Sequence, residues 1–470
     1  MNSDIKDIIK FAQEIRPKLT DFKKIFSFNS KDYCKNKILV LSNLPKKNTY
    51  HYINEAINNG IIGLIVTTTI DINLLKKDIP VLKSKYLNEN LNIFLNYLYN
   101  EPLKNKKIIG VTGTDGKTST CHLIANCLTM LGKKVGIIST EGNGVYPRLK
   151  RTSYTTPRND ILYKEFYSFK RKKVDTIIIE CSSQGLHQGR LDHIVFNDSI
   201  VTNLNKDHIE YHKTFNSYAQ SKQKLLEMTI GNIFINVDCK NSISKFSNIK
   251  KSKIIHYGID IDKKIVNDLV KPKPSKIFEN NFIKSNRSLL YKFLHKKSYS
   301  LNKIKSILNK KPKMIKGRMN YFNDKENNAK YIIDYAHTGH ALETLLRDIK
   351  IISRKSFLIT LFGCGGNRDV RKRSEMGLIA KKYSDKIILT DDNPRNEDPM
   401  SIISDIHHKI KDKSDIYIIP NRKKAIRKAF SMSTKDTVIV FAGKGNEDNI
   451  IYNNKVIGHN DINYLKKLLK

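Results

Sequence analysis

The chain has no apolar run long enough to cross a bilayer. Its most apolar stretch, residues 61–69, falls far short of the roughly 18–20 residues a spanning helix needs. Residues 1–14 lack a continuous apolar block and a small-residue cleavage site, and they carry Asp4, Asp7 and Glu14, so no signal peptide is expected. Cysteine is sparse. Cys34, Cys121, Cys127, Cys181, Cys239 and Cys364 are scattered with no CxxC pair, which excludes a zinc ribbon and points to a reducing, cytoplasmic compartment. Acidic residues are outnumbered, 45 Asp and Glu against 85 Lys and Arg, for a net charge of +40. The excess is spread along the whole chain, mostly as lysine among abundant Asn and Ile, residues with A/T-rich codons. No basic motif interleaved with aromatics accompanies it. Drift in composition therefore accounts for the charge, and neither a nucleic-acid nor a membrane partner is expected. No repeat of fixed period occurs.

What is present suits packed cores: 470 residues, 39% hydrophobic and 28% charged, a length that suggests about three domains. Residues 1–105 read as a small α/β unit, with strand-length runs at 37–41 (KILVL) and 61–66 (IIGLIV) around a helical pattern at 50–59. From Ile108 strands alternate with helices: 107–111, 135–139, 174–180, 199–202 and 233–237. That alternation predicts a parallel sheet covered on both faces. Residues 240–312 are rich in lysine and asparagine with weak periodicity, and Lys310-Lys311-Pro312 reads as a linker. Beyond it, runs at 331–334, 356–362, 386–390, 415–419 and 437–441 with helical segments between them predict a third α/β unit. The boundaries are thus 1–105, 106–312 and 313–470.

The most informative stretch is Gly110-Val-Thr-Gly113-Thr114-Asp115-Gly116-Lys117-Thr118-Ser119, which follows the strand 107–111 and opens a helix over 118–131. Glycines there let backbone N–H groups turn toward an anion, and a helix N-terminus adds partial positive charge. Lys117 is placed to reach the β/γ-phosphates of a nucleotide and Thr118 to ligate Mg²⁺. The common pattern has glycine at position 111, where this chain has valine. The competing reading is an ordinary glycine-rich turn between strand and helix.

Two polar clusters end later strands. Glu180-Cys-Ser182-Ser183-Gln-Gly185-Leu186 puts a carboxylate at a strand's C-terminal end, facing the crevice where ligands bind in parallel sheets. Glu180 is therefore a candidate Mg²⁺ ligand, against the alternative of a solvated strand-end glutamate. Thr202-Asn203-Leu-Asn205-Lys-Asp207-His208-Ile-Glu210-Tyr-His212 gathers two histidines and two acids, with metal or phosphate chemistry the leading reading and a zinc site the alternative.

These motifs resemble the Mur ligases, the ATP-dependent amino-acid ligases of peptidoglycan precursor assembly. The similarity runs over nearly the whole chain, most strongly from about 108 to 448. The resemblance implies a UDP-binding N-terminal α/β domain, a central P-loop ATPase domain and a C-terminal Rossmann-like domain. It implies ATP contacts at Gly113 through Ser119, with Lys117 catalytic and Asp115 where asparagine is commoner in the family. SSQGLHQGR at 182–190 is similar to the family's UDP-sugar-peptide site, which carries over Ser182, Gln188 and Arg190, and Thr155-Thr156-Pro157 to its TTP turn. Ser30, in Phe28-Asn29-Ser30-Lys31, stands where the family has a uridine-binding DSR. Glu180 and His208 match metal ligands. Lys222 matches a lysine carbamylated by CO₂, whose new carboxylate helps hold a second Mg²⁺. On residue type alone Lys222 would be a surface lysine.

In the last unit the resemblance assigns Arg318 (GRM), Asp334 (DYAH) and Asn286 to the adenosine part of ATP. Arg368, in Gly365-Gly366-Asn-Arg368-Asp369, and Asp392-Asn393-Pro394-Arg395 match the acceptor amino-acid site, as do Gly443 and Glu447 in Gly443-Lys-Gly445-Asn446-Glu447. Arg395 is the discriminating residue, because an arginine fork can grip the second carboxylate that meso-diaminopimelate has and lysine lacks. The implied activity is addition of meso-diaminopimelate to UDP-muramyl dipeptide through an acyl phosphate, by a monomer acting on small molecules. The lysine-adding ligase, a folylpolyglutamate synthetase and, from another class, a basic nucleic-acid-binding P-loop ATPase are the alternatives.

Overall fold

A computed structural model describes residues 3–18, 21–30, 35–41, 49–67, 70–152, 154–246, 249, 253–261, 263–270, 281–310, 315–324, 326–353, 356–453 and 455–469. Cys34 and the Lys311-Pro312 pair of the expected linker lie outside this set. The chain forms two compact units, Met1–Ile108 with Lys133–Phe196, and Ile109–Gly132 with Asn197–Lys470.

The strands in chain order are β1 (Phe26–Ser27), β2 (Ile38–Leu41), β3 (Gly63–Val66), β4 (Val81–Lys83), β5 (Lys107–Thr112), β6 (Val135–Ser139), β7 (Gly142–Val145), β8 (Thr176–Glu180), β9 (Phe196–Val201), β10 (Thr229–Asn236) and β11 (Ile254–Tyr257). There follow β12 (Asn320–Asn323), β13 (Lys330–Ile333), β14 (Phe357–Phe362), β15 (Lys386–Leu389), β16 (Ile416–Ile418), β17 (Thr437–Phe441), β18 (Asn449–Tyr452) and β19 (Lys455–Gly458).

In the first unit, β1 to β4 pair in sequence order, all parallel. The helix Thr49–Asn58 buries Ile53, Ala56 and Ile57 against Leu39, Leu64 and Val66, an i, i+3, i+4 stripe laid on alternate strand residues. Further on, β6 runs parallel to β8 but antiparallel to β7. The sequence predicts a wholly parallel sheet here. Only Thr140 and Glu141 separate β6 from β7, too few for the crossover a parallel pair needs, so the chain turns back as a hairpin. Gly142 permits it: a Cβ there would lie 2.5 Å from the Lys150 carbonyl oxygen.

In the second unit β5 pairs in parallel with β9, and β10 in parallel with β11. The described residues of the segment 240–310, weak in periodicity, form four helices around β11: Lys240–Lys245, Lys263–Leu269, Asn281–Lys296 and Leu301–Asn309. The helix Asn281–Lys296 buries Ser285, Arg287 and Ser288 beside its leucines, which blurs the apolar stripe that would announce it. The last sheet has the order β12-β13-β17-β14-β15-β16, parallel except where β12 meets β13. Its central strands are almost wholly apolar, as burial on both faces requires, and the one polar residue within β14, Thr360, bonds the Ser384 hydroxyl. One face packs Leu342, Leu346, Met376, Ala380 and Ile403, the other Ala425, Ile426, Ala429 and Leu465. Polar loops collect at the C-terminal ends of these strands. Among the described residues no helix is long and apolar enough to cross a membrane.

Candidate active site

In the second unit, β5 ends in the glycine-rich loop and the helix Lys117–Met130 begins at Gly116, which takes φ +79°. A side chain at Gly113 would put its Cβ 1.8 Å from Thr202 Oγ1, so only glycine lets the loop sit this close to the end of β9. Neutral groups from that strand end hold the loop. Asn203 Oδ1 accepts from the N–H groups of Thr114 (3.1 Å) and Asp115 (2.9 Å), and Thr202 Oγ1 donates to Asp115 O at 2.6 Å. Thr114 Oγ1 accepts from Asn205 N at 2.9 Å and lies 2.9 Å from the Tyr218 hydroxyl.

Two lysines converge on this loop. Lys117 Nζ donates to Gly113 O at 3.0 Å and Thr114 O at 2.7 Å. Lys222, on the helix Phe215–Glu227, is 1% exposed and donates to the same Gly113 carbonyl at 2.6 Å. The surface lysine that residue type suggests is thus a core side chain. Thr118 is buried in the first turn of the loop's helix and Ser119 half-buried beside it. His208 takes φ +55°, with Nε2 3.5 Å from Asp207 Oδ2 and Nδ1 3.5 Å from Glu210 Oε1. Nδ1 makes no hydrogen bond. Burial holds the His208 imidazole below its ordinary pKa; Lys117 and Lys222 push the same way while Asp207 and Glu210 oppose. A neutral imidazole with an open nitrogen is the form that ligates metals.

The residues that the resemblance assigns to adenosine, Arg318, Asp334 and Asn286, lie in this same unit. Asp334, at the end of β13, accepts from Met319 N and Ala336 N, each at 2.8 Å, so it braces the Gly317-Arg318-Met319 turn. Burial pushes its carboxyl up and Arg318 offsets part of that. Arg318 stacks its guanidinium 4.0 Å from the centre of the Tyr335 ring. Gly317 is required by contact: a Cβ there would lie 2.2 Å from Asn446 N, and one at Gly445 would lie 2.8 Å from Gly317 O. Asn286 is half-buried on the helix Asn281–Lys296, whose Phe282 approaches within 3.6 Å of where a Gly116 side chain would be. Thr338 donates to the Asp115 carboxylate at 3.1 and 3.2 Å.

The residues that the resemblance assigns to the acceptor gather on neighbouring loops after β14, β15 and β17. Arg395, at φ +54°, donates through Nη1 to Gly366 O (2.8 Å) and Asn393 O (3.3 Å), and Arg368 is exposed on the facing loop. Burial lowers the Arg395 pKa and Arg368 adds to the effect. Asp392, Asn393 and Pro394 are buried. Asn393 Nδ2 donates to Glu447 Oε2 at 2.8 Å, and Tyr335 OH to Glu447 Oε1 at 3.2 Å. Gly443, at φ +97°, passes close to Asp392, where a Cβ would lie 2.9 Å from Oδ2. Behind these loops sit two buried arginines that sequence reasoning missed. Arg422 pairs with Asp461 (2.6 Å), both fully buried, and donates to Asp391 O and Ala442 O. Arg373 pairs with Glu397 (2.8 Å) and Asp405 (2.9 Å).

The first unit carries the remaining residues. Glu180 is buried at the end of β8 and its Oε2 accepts from Thr140 N (2.9 Å) and Thr140 Oγ1 (3.1 Å). Thr155 Oγ1 lies 3.0 Å from Thr140 Oγ1. Thr156 links the two motifs: its hydroxyl donates to Glu180 O at 2.7 Å and accepts from Ser182 N at 2.9 Å. Ser182 caps the helix Ser183–His187. Arg190 donates to Gln188 Oε1 (2.6 and 2.9 Å) and to Thr156 O (2.5 Å), a preformed polar patch. Asn92 donates to Asp192 O at 2.7 Å, tying the N-terminal sheet's last helix to this loop. Ser30 is buried and lies on the four-stranded sheet's side of the unit; its neighbour Lys31 lies outside the described residues.

Among the described residues no three His, Cys, Asp or Glu side chains converge as a metal cage. Mg²⁺ in phosphoryl transfer does not need one, since it keeps waters and phosphate oxygens and takes one or two protein ligands. The open His208 nitrogen and the buried Thr118 hydroxyl and Glu180 carboxylate are donors of the right kind.

Comparison with known proteins gives consistent matches. Residues 111–292 match the Mur ligase middle domain and residues 317–445 the Mur ligase glutamate ligase domain. The chain is 35% identical to the UDP-N-acetylmuramoyl-L-alanyl-D-glutamate–2,6-diaminopimelate ligase of Wigglesworthia glossinidia brevipalpis, over 96% of each chain. It is 32% identical to that of Clostridium tetani, over 94% of each. A solved structure of a ligase with that name superposes with a TM-score of 0.60 at 26% identity, covering 97% of this chain and 98% of the other. A MurF ligase of Thermotoga maritima in complex with ADP, 15% identical over 91% of this chain and 95% of the other, shares the fold at a TM-score of 0.59.

Proposed function

The chain belongs to the Mur ligase family, and from that footing we propose how its residues divide the work of an ATP-driven amide synthesis. The enzyme joins meso-2,6-diaminopimelate to the D-glutamyl γ-carboxylate of UDP-N-acetylmuramoyl-L-alanyl-D-glutamate, a step in building the peptidoglycan precursor. Its architecture is the three-domain α/β one of that family, for which the sequence suggests boundaries near residues 105 and 312.

A carboxylate is a poor electrophile, so it must first be activated. Its oxygen takes the γ-phosphoryl group of ATP, the bond to the bridging oxygen breaks, and ADP leaves. The free amine of the acceptor then attacks the acyl carbon, the carbon–oxygen bond breaks, phosphate departs and the amine's proton goes to solvent. Fixed positive charge at the transferring oxygens supplies most of the rate in such chemistry. The observation that carries the reading is Lys117 at the start of the loop's helix, its Nζ held on the Gly113 and Thr114 carbonyls of the glycine-rich loop. When a triphosphate arrives, Lys117 has only to exchange loop carbonyls for phosphate oxygens.

Mg²⁺, when bound, neutralises phosphate charge. Thr118 and His208 are its proposed ligands near the loop, and Glu180 is proposed as a further carboxylate ligand. A carbamate on Lys222, formed by the uncharged amine and CO₂, is proposed on the family resemblance, with His208 as its fellow ligand; the buried Lys222 Nζ lies beside the loop at Gly113 O. Arg318 and Asn286 are proposed to contact adenosine, with Asp334 holding the Arg318 turn. Ser30, Thr155, Thr156, Ser182, Gln188 and Arg190 are proposed for the UDP-muramyl dipeptide.

For the acceptor, Arg368 and Arg395 offer cations to carboxylates and Glu447 an anion to the far ammonium. The pairing of Arg395 with a second carboxylate favours diaminopimelate over lysine. The test is to incubate the protein with ATP, Mg²⁺ and UDP-muramyl dipeptide, offer diaminopimelate or lysine, and weigh the product. A mass increase of one diaminopimelate less water, absent with lysine, is expected; no product, or equal use of lysine, defeats the assignment.

A further inference from the structure

The most enclosed charge in the acceptor region belongs to Lys444, the unassigned residue between Gly443 and Gly445. Its side chain is fully buried. Nζ lies 2.9 Å from Glu447 Oε2, 3.2 Å from Asn393 Oδ1 and 3.9 Å from Asp392 Oδ1. An ammonium can only donate, so it dictates which way the Asn393 amide points. Asn393 Oδ1 faces Lys444 and also accepts from Ile451 N at 3.1 Å. Its nitrogen is then left to donate to Asp392 Oδ1 at 2.9 Å and Glu447 Oε2 at 2.8 Å. The result is a closed cage of one amide, two carboxylates and one ammonium, carrying one net negative charge.

We propose that Lys444 is a positioning residue for the acceptor amino acid: it fixes Asn393 and Glu447 in place and leaves the cage one positive charge short of balance, the charge that the acceptor's far ammonium supplies. This rests on the ligase reading above and deepens it. Without Lys444, Asp392 and Glu447 would face each other across Asn393 with no cation between them. Burial alone would push the Glu447 carboxyl up, but the charge and hydrogen bond of Lys444 pull it below its ordinary value, so it is ionised before the acceptor arrives. Other charged groups also face the cage, and the Arg395 and Arg422 cations both attract Asp392 and Glu447. Tyr335 donates its hydroxyl to Glu447, Arg422 is matched by Asp461, and Arg395 is directed at the Gly366 and Asn393 carbonyls.

The test compares wild type with Lys444→Gln and the near-isosteric Lys444→Met. The KM for diaminopimelate should rise about tenfold or more, while the KM values for ATP and UDP-muramyl dipeptide stay within about twofold. The acid limb of kcat/KM for diaminopimelate should move up by about one pH unit as Glu447 loses its cation. An unmoved limb with an unchanged KM overturns the proposal. Should both variants fail to fold, the wild type decides. Calorimetric binding of 2-aminopimelate, which keeps both carboxylates and the far ammonium but lacks the attacking amine, is run with UDP-muramyl dipeptide and a non-hydrolysable ATP analogue in buffers of different ionisation enthalpy between pH 6 and 8. No proton exchange supports a cage already ionised, and release of a proton overturns it. A wild type that makes no diaminopimelate product defeats the ligase reading itself, a separate result.

Discussion

The glycine-rich loop and the acceptor pocket belong to one compact unit, yet they are built from opposite materials. Around the loop, the groups that hold the backbone are amides and hydroxyls: Thr202, Asn203, Asn205 and Tyr218. Around the acceptor pocket they are ions: Lys444 with Glu447, Arg422 with Asp461, Arg373 with Glu397 and Asp405. The difference suits the guests proposed for them. A triphosphate brings several negative charges, and a loop held mostly by neutral groups, with Asp115 its one carboxylate, repels it least. An amino acid brings charges of both signs, and a frame of paired ions can be trimmed to meet each one.

Four perturbations probe that contrast, from the largest effect down. Arg422→Met should destabilise the protein by about 3–5 kcal/mol, because Asp461 is left buried without its cation. Thr202→Val in the neutral frame should cost only about 1 kcal/mol. Denaturant unfolding of the two variants compares the frames directly, and equal losses would erase the distinction. Lys117→Ala should lower ligation by about 10²–10³-fold while the unfolding midpoint stays near wild type; near-normal turnover removes Lys117 from the phosphate site.

The third concerns His122, on the loop's own helix. Burial, aided by Arg318, takes its pKa from 6.5 down to about 4. The unfolded chain therefore binds a proton that the folded one refuses. Stability is fully present above about pH 6.5 and falls as the pH drops toward 4, by about 1.4 kcal/mol per unit. Unfolding curves between pH 7 and 5 should show the decline, and His122→Leu should flatten it. Last and smallest, Asp115 is the one carboxylate within the loop, and Asp115→Asn should lower the KM for ATP about two- to fivefold. A rise in KM would mean that its bond to Thr338 matters more than its charge.

Much of this was legible in the residues. The strand before the loop, the GKT helix start and the runs at 135–139 and 437–441 carry apolar patterns and turn residues that fix their structure locally. Lys222 was legible only through resemblance, since burial of a lysine leaves no trace in its neighbours' spacing. The hairpin of β6 and β7 hid behind an apolar run that fits either strand direction. Lys444, Arg373 and Arg422 were silent for a different reason. A charge that is neutralised by partners 3 to 52 positions away in the chain looks, in one dimension, like any other charge in a basic protein. Only Lys444 had a nearby cue, the glycines on either side that force a tight turn over a buried side chain.

Gly317 and Gly445 meet backbone to backbone, with no room for even a methyl group between the turn that presents Arg318 and the turn that presents Glu447. Such a joint has no slack. A methyl group at either position would force the Arg318 turn and the Glu447 turn apart, so both turns keep their shape only while both residues stay glycine.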